Sequence, residues 1–149
     1  MPKSRTKPNT QTHPFGKCLY FTANAVARQI NKLAEEAFAP IGLCPSGALL
    51  LRVIADNPAI ASSTAAETLH LAPSSVTRFA DNLVRRGLVE REQQGRRMLL
   101  HLTDEGEALL PRIQECWENL YESYSADVGK RRGQQVALEL GEIAALLGD

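Results

Sequence analysis

The sequence predicts a mainly α-helical protein with a small two-stranded β hairpin, and three observations carry that prediction. Long segments at both ends of the 149-residue chain repeat apolar residues at helical spacing. Between them, two shorter helical patterns lie around Pro73 and Gly87, residue types that open and close helices. Just after Gly87, apolar and polar residues alternate as they do in paired strands.

Residues 1–14 (MPKSRTKPNTQTHP) are polar, with three prolines, and are expected to form a flexible basic arm. Over residues 15–38, Leu19, Ala23, Val26, Ile30, Leu33 and Ala37 make one helical stripe, which Pro40 and Gly42 stop. A second helix follows Pro45, with Leu49, Leu50, Val53 and Ile54 on its apolar face, and ends at Asn57-Pro58. A short helix over 62–70 turns Ala65, Ala66 and Leu69 inward. The capping-box spacing of Thr64 and Glu67 allows it to start a residue or two later. Leu71 and Ala72 make the turn into a helix over 73–86, which Gly87 ends. Two strands, 88–91 and 97–102, are joined through a turn that begins at Glu92. Thr103 caps a long helix whose first turn holds Asp104, Glu105 and Glu107, suited to the positive end of the helix dipole. Leu109, Ile113, Cys116, Leu120 and Tyr124 form its stripe, and a last helix after Gly129 carries Val136, Leu140, Ile143 and Leu147.

Residues 15–149 therefore suit one domain, with a central unit over about 45–106 and long helices over 15–38 and 104–148. The outer helices have more apolar face than the central unit covers. Packing them across a two-fold axis is the economical solution, so a homodimer is expected, with a self-contained bundle as the alternative. No apolar run approaches the roughly 20 residues of a membrane span, and no signal peptide is apparent, so no membrane association and a cytoplasmic location are expected.

Net charge is zero, but its distribution is not even. Residues 1–17 carry +4, 18–61 balance, 62–97 carry +2 and 98–149 carry −6. Bases thus gather where phosphates would be met, and acids gather at the far end. The element order of the central unit is that of a winged helix-turn-helix, which lays one helix in a groove of duplex DNA and a loop against the neighbouring backbone. On the helix after Pro73, Ser74, Ser75, Thr77, Arg78 and Asn82 supply the polar set, and Val76, Phe79, Ala80, Leu83 and Val84 the apolar one. Hydroxyls hold phosphates or adapt to several bases, and arginine binds guanine through two hydrogen bonds. Arg85 and Arg86 are at the helix C-terminus, where cations relieve the dipole without DNA. Arg96 and Arg97 stand at the loop exit, placed to enter a narrow minor groove.

At these residues the chain resembles the MarR family of winged-helix transcription regulators. The matching segments are CLYFTANAVARQINKLAEEAF, LCPSGALLLRVIADNP, LHLAPSSVTRFADNLVRRGLVER and GRRMLLHLTDEGEALL, about 130 of the 149 residues. The resemblance implies homodimers that bind pseudo-palindromic operators, usually as repressors, and release DNA on meeting a small-molecule effector or an oxidant. One departure concerns the wing. The family commonly has an aspartate two positions before the tip arginine; here Gln94 stands there, Gly95 follows and the loop is short. Arg96 is therefore expected to be less well ordered before DNA arrives.

Cys18, Cys44 and Cys116 are too sparse for a disulfide framework and lack zinc-ligand spacing, so neither metal nor cofactor is expected. Cys18, in the first turn of the first predicted helix beside Lys17, is a possible redox sensor, because dipole and charge both favour a thiolate. The family's organic-peroxide sensors keep their reactive cysteine at this place, and some pair it with a second one roughly where Cys116 falls. The tyrosines that hold the thiolate in those sensors correspond here to Thr22 and approximately Lys32, with Tyr20 and Tyr121 as substitutes. Cys116 also lies on an apolar stripe, as a core cysteine would. Glycine-rich phosphate loops, nucleophile elbows and paired His/carboxylate motifs are absent from the sequence, which argues against an enzyme. A winged helix that binds proteins, and sequence-indifferent DNA binding, remain as alternatives.

Overall fold

The computed structural model describes residues 13–148. The proposed arm over 1–14 therefore lies outside the described residues except for His13 and Pro14. Among the described residues six helices and three strands follow one another: α1 Leu19–Phe38, a 3-10 turn Ala39–Ile41, α2 Pro45–Asp56, β1 Ile60–Ala61, α3 Ser62–Thr68, α4 Pro73–Arg85, β2 Val89–Gln94, β3 Arg97–Leu102, α5 Asp104–Val128 and α6 Lys130–Leu147. The mainly helical fold and the hairpin agree with the sequence. A third strand, β1, joins the sheet in the order β1-β3-β2, antiparallel throughout, with Ile60 opposite Leu100 and Ala61 opposite Leu99.

The core forms where α2, α3 and α4 meet the sheet and α5. Leu50, Leu51, Val76, Leu83 and Leu100 are sealed from solvent, and Phe38 from the end of α1 joins them. Phe38 meets Trp117 of α5 edge to face at 4.5 Å, an arrangement aromatic rings favour, so the two long helices are anchored to the same core. Beyond that anchor the helices run outward. Leu19, Tyr20, Val26, Val128, Leu138, Leu146 and Leu147 are exposed, and no described residue of α6 is buried.

Two expected helix boundaries shift for local reasons, and β2 runs on to Gln94 where a turn was expected from Glu92. α1 starts at Leu19 rather than near residue 15, because residues ahead of it fold into a turn. Gly16 N–H donates to the His13 carbonyl at 3.0 Å, and the rings of His13 and Phe21 stack at 4.6 Å. α3 starts at Ser62 with Ala61 as its N-cap, so Thr64 sits inside the helix and makes no capping box. α3 ends at Thr68, and His70 belongs to the turn with φ 51°, a left-handed conformation that glycine usually supplies. There Leu71 N–H reaches back to the Ala66 carbonyl at 3.0 Å, closing the helix end.

The base of the hairpin is welded to the start of α5. Thr103 N–H donates to the Leu88 carbonyl at 3.1 Å, and its hydroxyl donates to the Gly87 carbonyl at 2.6 Å. The same hydroxyl accepts from Gly106 N–H at 3.1 Å, making Thr103 the N-cap expected from sequence. Gly106 passes so close to this crossing that an added Cβ would lie 2.2 Å from the Leu88 carbonyl oxygen. Backbone cannot move aside as a flexible side chain does. Gly106→Ala is expected to destabilise the fold by about 1–3 kcal/mol, seen as a lower urea midpoint with an unchanged slope.

Candidate nucleic-acid interface

α4 is set at the surface by its amphipathic pattern. Val76, Ala80 and Leu83 are buried, and Pro73 occupies the first helical position, where its missing N–H costs nothing. The opposite face exposes Ser74, Thr77, Arg78, Asp81, Asn82 and Arg85, which follow helical spacing and form one continuous strip. Of the residues expected from sequence, Ser74, Thr77, Arg78 and Asn82 are on that strip. Ser75 is half-buried at its edge. The Thr77 hydroxyl donates to the Pro73 carbonyl at 3.0 Å, so what it offers a ligand is acceptor capacity. Arg78 lies with its guanidinium carbon 5.1 Å from the centre of the Phe79 ring, a cation–π contact that supports the side chain along the helix.

The wing stands beside this strip. β2 and β3 pair from Val89 opposite Leu102 to Gln94 opposite Arg97, leaving a two-residue loop of Gly95 and Arg96. Gly95 has φ 60° at the first loop position, where a type II′ hairpin turn requires glycine. Arg96 and Arg97 are both exposed. The missing aspartate has a local counterpart. Gln93, near the end of β2, donates from Nε2 to the Gly95 carbonyl at 2.7 Å, a bond that braces the backbone beside Arg96. At the other end of the hairpin, His101 Nε2 lies 2.8 Å from Glu92 Oε2.

Two arginines lock the unit together. Arg86 donates from Nη1 to the Gly42 carbonyl at 2.8 Å and from Nη2 to the Ile41 carbonyl at 3.0 Å, fastening the end of α4 to the turn after α1. It is the structural residue its position implied. Arg91, on β2, bonds Asp81 and the Thr77 carbonyl, and sequence reasoning did not single it out. Its partner lies ten residues back on another element, a pairing visible only once the hairpin is placed against the helix.

The cysteines separate clearly. Cys18 is exposed as the N-cap of α1, just outside the helix instead of in its first turn. Cys44 caps α2, its sulfur accepting from Gly47 N–H at 3.3 Å. Cys116 is buried among core residues of its own chain, and that burial pushes its thiol pKa above the ordinary value. Among the described residues no group of three His, Cys, Asp or Glu side chains is placed to hold a metal ion. A cleft of about 680 Å³ lies between α1 and α5, with Ala25, Val26, Ile30, Leu33, Tyr124 and Val128 on its walls. Gln29, Lys32, Glu36 and Asp127 supply its polar groups.

Residues 41–109, from the end of the 3-10 turn into α5, match the family model described as "MarR family". Over that segment the chain is similar to the MarR family. The match spans the whole winged unit. A curated relative from Thauera aromatica, named "Putative transcriptional regulatory protein for hcr operon", is 30% identical over 101 residues, covering 65% of this chain and 61% of that protein. The chain thus matches less than two thirds of that relative's length. Among solved structures, the transcriptional repressor CouR bound to a 23-mer DNA duplex superposes with a TM-score of 0.79 at 22% identity, over 95% of this chain and 99% of CouR. CouR bound to p-coumaroyl-CoA gives the same TM-score and identity over 89% and 96% of the two chains. The transcriptional regulator MosR of M. tuberculosis superposes at 0.75 with 25% identity, over 89% and 98%. The MarR-type fold therefore includes α1, α5 and α6 as well as the segment matched by the family model.

Arg86 offers a direct test of how α4 is held. Arg86→Met is expected to lower stability by about 1–3 kcal/mol, because two carbonyls lose a charged donor. Thermal melts of both proteins at equal concentration measure the difference.

Proposed function

We propose that this chain is a MarR-family, sequence-specific regulator that binds duplex DNA, a repressor acting as a homodimer on a pseudo-palindromic operator. The observation that carries this is the exposed strip of α4, with Ser74, Thr77, Arg78 and Asn82, standing beside a hairpin that exposes Arg96 and Arg97. In this proposal the α4 residues, with Ser75 at the edge, enter the major groove, and the wing arginines reach the minor groove. CouR, which shares the fold, is described as a repressor and as bound to duplex DNA, which supports the assignment. The unburied apolar face of α6 and the exposed Leu19, Tyr20 and Val26 support the second subunit, which would bury them and present two winged units to two half-sites. Such a protein acts where the chromosome is; a cytoplasmic location is part of the proposal. No single helix among the described residues is long and apolar enough to cross a membrane.

The release signal we assign to a small-molecule effector in the cleft between α1 and α5. Its apolar walls and few polar groups have the character of a ligand site, and CouR is also described bound to p-coumaroyl-CoA. The exposed Cys18 favours a second reading, oxidant release. Burial of Cys116 in its own subunit's core speaks against a bridge between the two.

Selection of bound duplexes from a random pool tests the central assignment. A palindromic consensus with half-sites about one helical turn apart is expected. Failure to enrich any sequence would remove the assignment. On the selected site, Arg78→Ala is expected to cost about 1–3 kcal/mol and relax one base position, whereas Arg96→Ala weakens binding and lowers the salt slope by about one, with little change in melting temperature. Peroxide titration of wild type and Cys18→Ser separates the signals. Release confined to wild type would replace the effector with the oxidant.

A further inference from the structure

Asp81 is the acid in the middle of the exposed strip of α4, three residues from Arg78 and four from both Thr77 and Arg85. A carboxylate there has two ways to hinder DNA binding. It repels phosphates directly, and it can capture an arginine of its own helix at i−3 or i+4 spacing. In the free protein the carboxylate is instead paired from outside the helix. Arg91 donates from Nη2 to Asp81 Oδ1 at 2.5 Å and to the Thr77 carbonyl at 3.3 Å. Asp81 remains half exposed and Arg91 keeps 29% of its side-chain surface, so the pair is part of the outer surface and not of the core. Arg78 meanwhile rests on Phe79.

We infer that Arg91 is a positioning residue for DNA binding: by occupying Asp81 from β2, it cancels the one acid on the α4 strip and leaves Arg78 and Arg85 to the DNA. The inference rests on the DNA-reading function proposed above. Its second contact, to the Thr77 carbonyl, places the guanidinium over α4 itself, so the cancellation is built into the packing of wing on helix. Arg91 need touch neither base nor phosphate to act this way.

The test is a double-mutant cycle read as affinity for the selected duplex, with thermal melting alongside. Arg91→Met is expected to lose about tenfold in affinity, and Arg91→Lys, which keeps a charge beside Asp81, about threefold or less. Asp81→Asn alone changes affinity by about threefold or less. Combined with Arg91→Met, it restores most of the lost affinity without a matching rise in melting temperature, which a purely structural role would not produce. The inference is overturned if Arg91→Met binds like wild type, if Arg91→Lys is as weak as Arg91→Met, or if the double variant is as weak as Arg91→Met. Wild type that binds no duplex would instead remove the DNA-reading function itself.

Discussion

The crossing of Gly87-Leu88 over the start of α5 is the constraint on which the rest of the molecule depends. Four elements converge there: the end of α4, the start of β2, the end of β3 and the first turn of α5. Thr103 serves them all, with its amide bound to the Leu88 carbonyl and its hydroxyl between the Gly87 carbonyl and Gly106 N–H. Gly106 lets the chains approach to backbone contact. The backbone groups of Gly87, Leu88, Thr103 and Gly106 that meet there are paired, which ties the base of the hairpin to the long helix. α4 is fixed at its end by the same crossing and by Arg86.

Most of this architecture could be seen in the sequence because it is written in local signals. Pro73 and Gly87 bracket α4, Thr103 with its acidic followers announces α5, and the apolar residues Met98, Leu99, Leu100 and Leu102 mark β3, although Leu99 and Leu100 are both buried where alternation was expected. What escaped lacks such signals. β1 has only Ile60 and Ala61, too short to show alternation, and exists because β3 offers it an edge. His70 carries the periodicity of a helix yet occupies a left-handed turn, a conformation its side-chain type does not advertise. The start of α1 moved because the rings of His13, Phe15 and Phe21 cluster ahead of it, a contact among residues that no helical stripe connects.

The candidate interface divides in the same way. Outward residues of α4 follow from spacing alone, so Ser74, Thr77, Arg78 and Asn82 were identifiable as one exposed strip without coordinates, with Ser75 half-buried at its edge. What holds that strip in place was not, beyond the structural role that position implied for Arg86. Arg86, Arg91 and Gln93 all act through backbone carbonyls, and a carbonyl leaves no mark in a sequence. Net neutrality concealed the chemistry too. Charge matters here by location, with Asp81 matched on the spot by Arg91 and the acids of α5 held away from the wing tip.

The two-residue wing has a further consequence for how binding is driven. A long wing samples many shapes in free solution and surrenders that freedom when it settles in a groove, which weakens the complex. Here the tip has one glycine, one arginine and a glutamine bond closing the loop before any ligand arrives. Little backbone entropy is left to lose. The cost is reach: in the proposed complex with DNA, a hairpin this tight would suit only a groove of matching width.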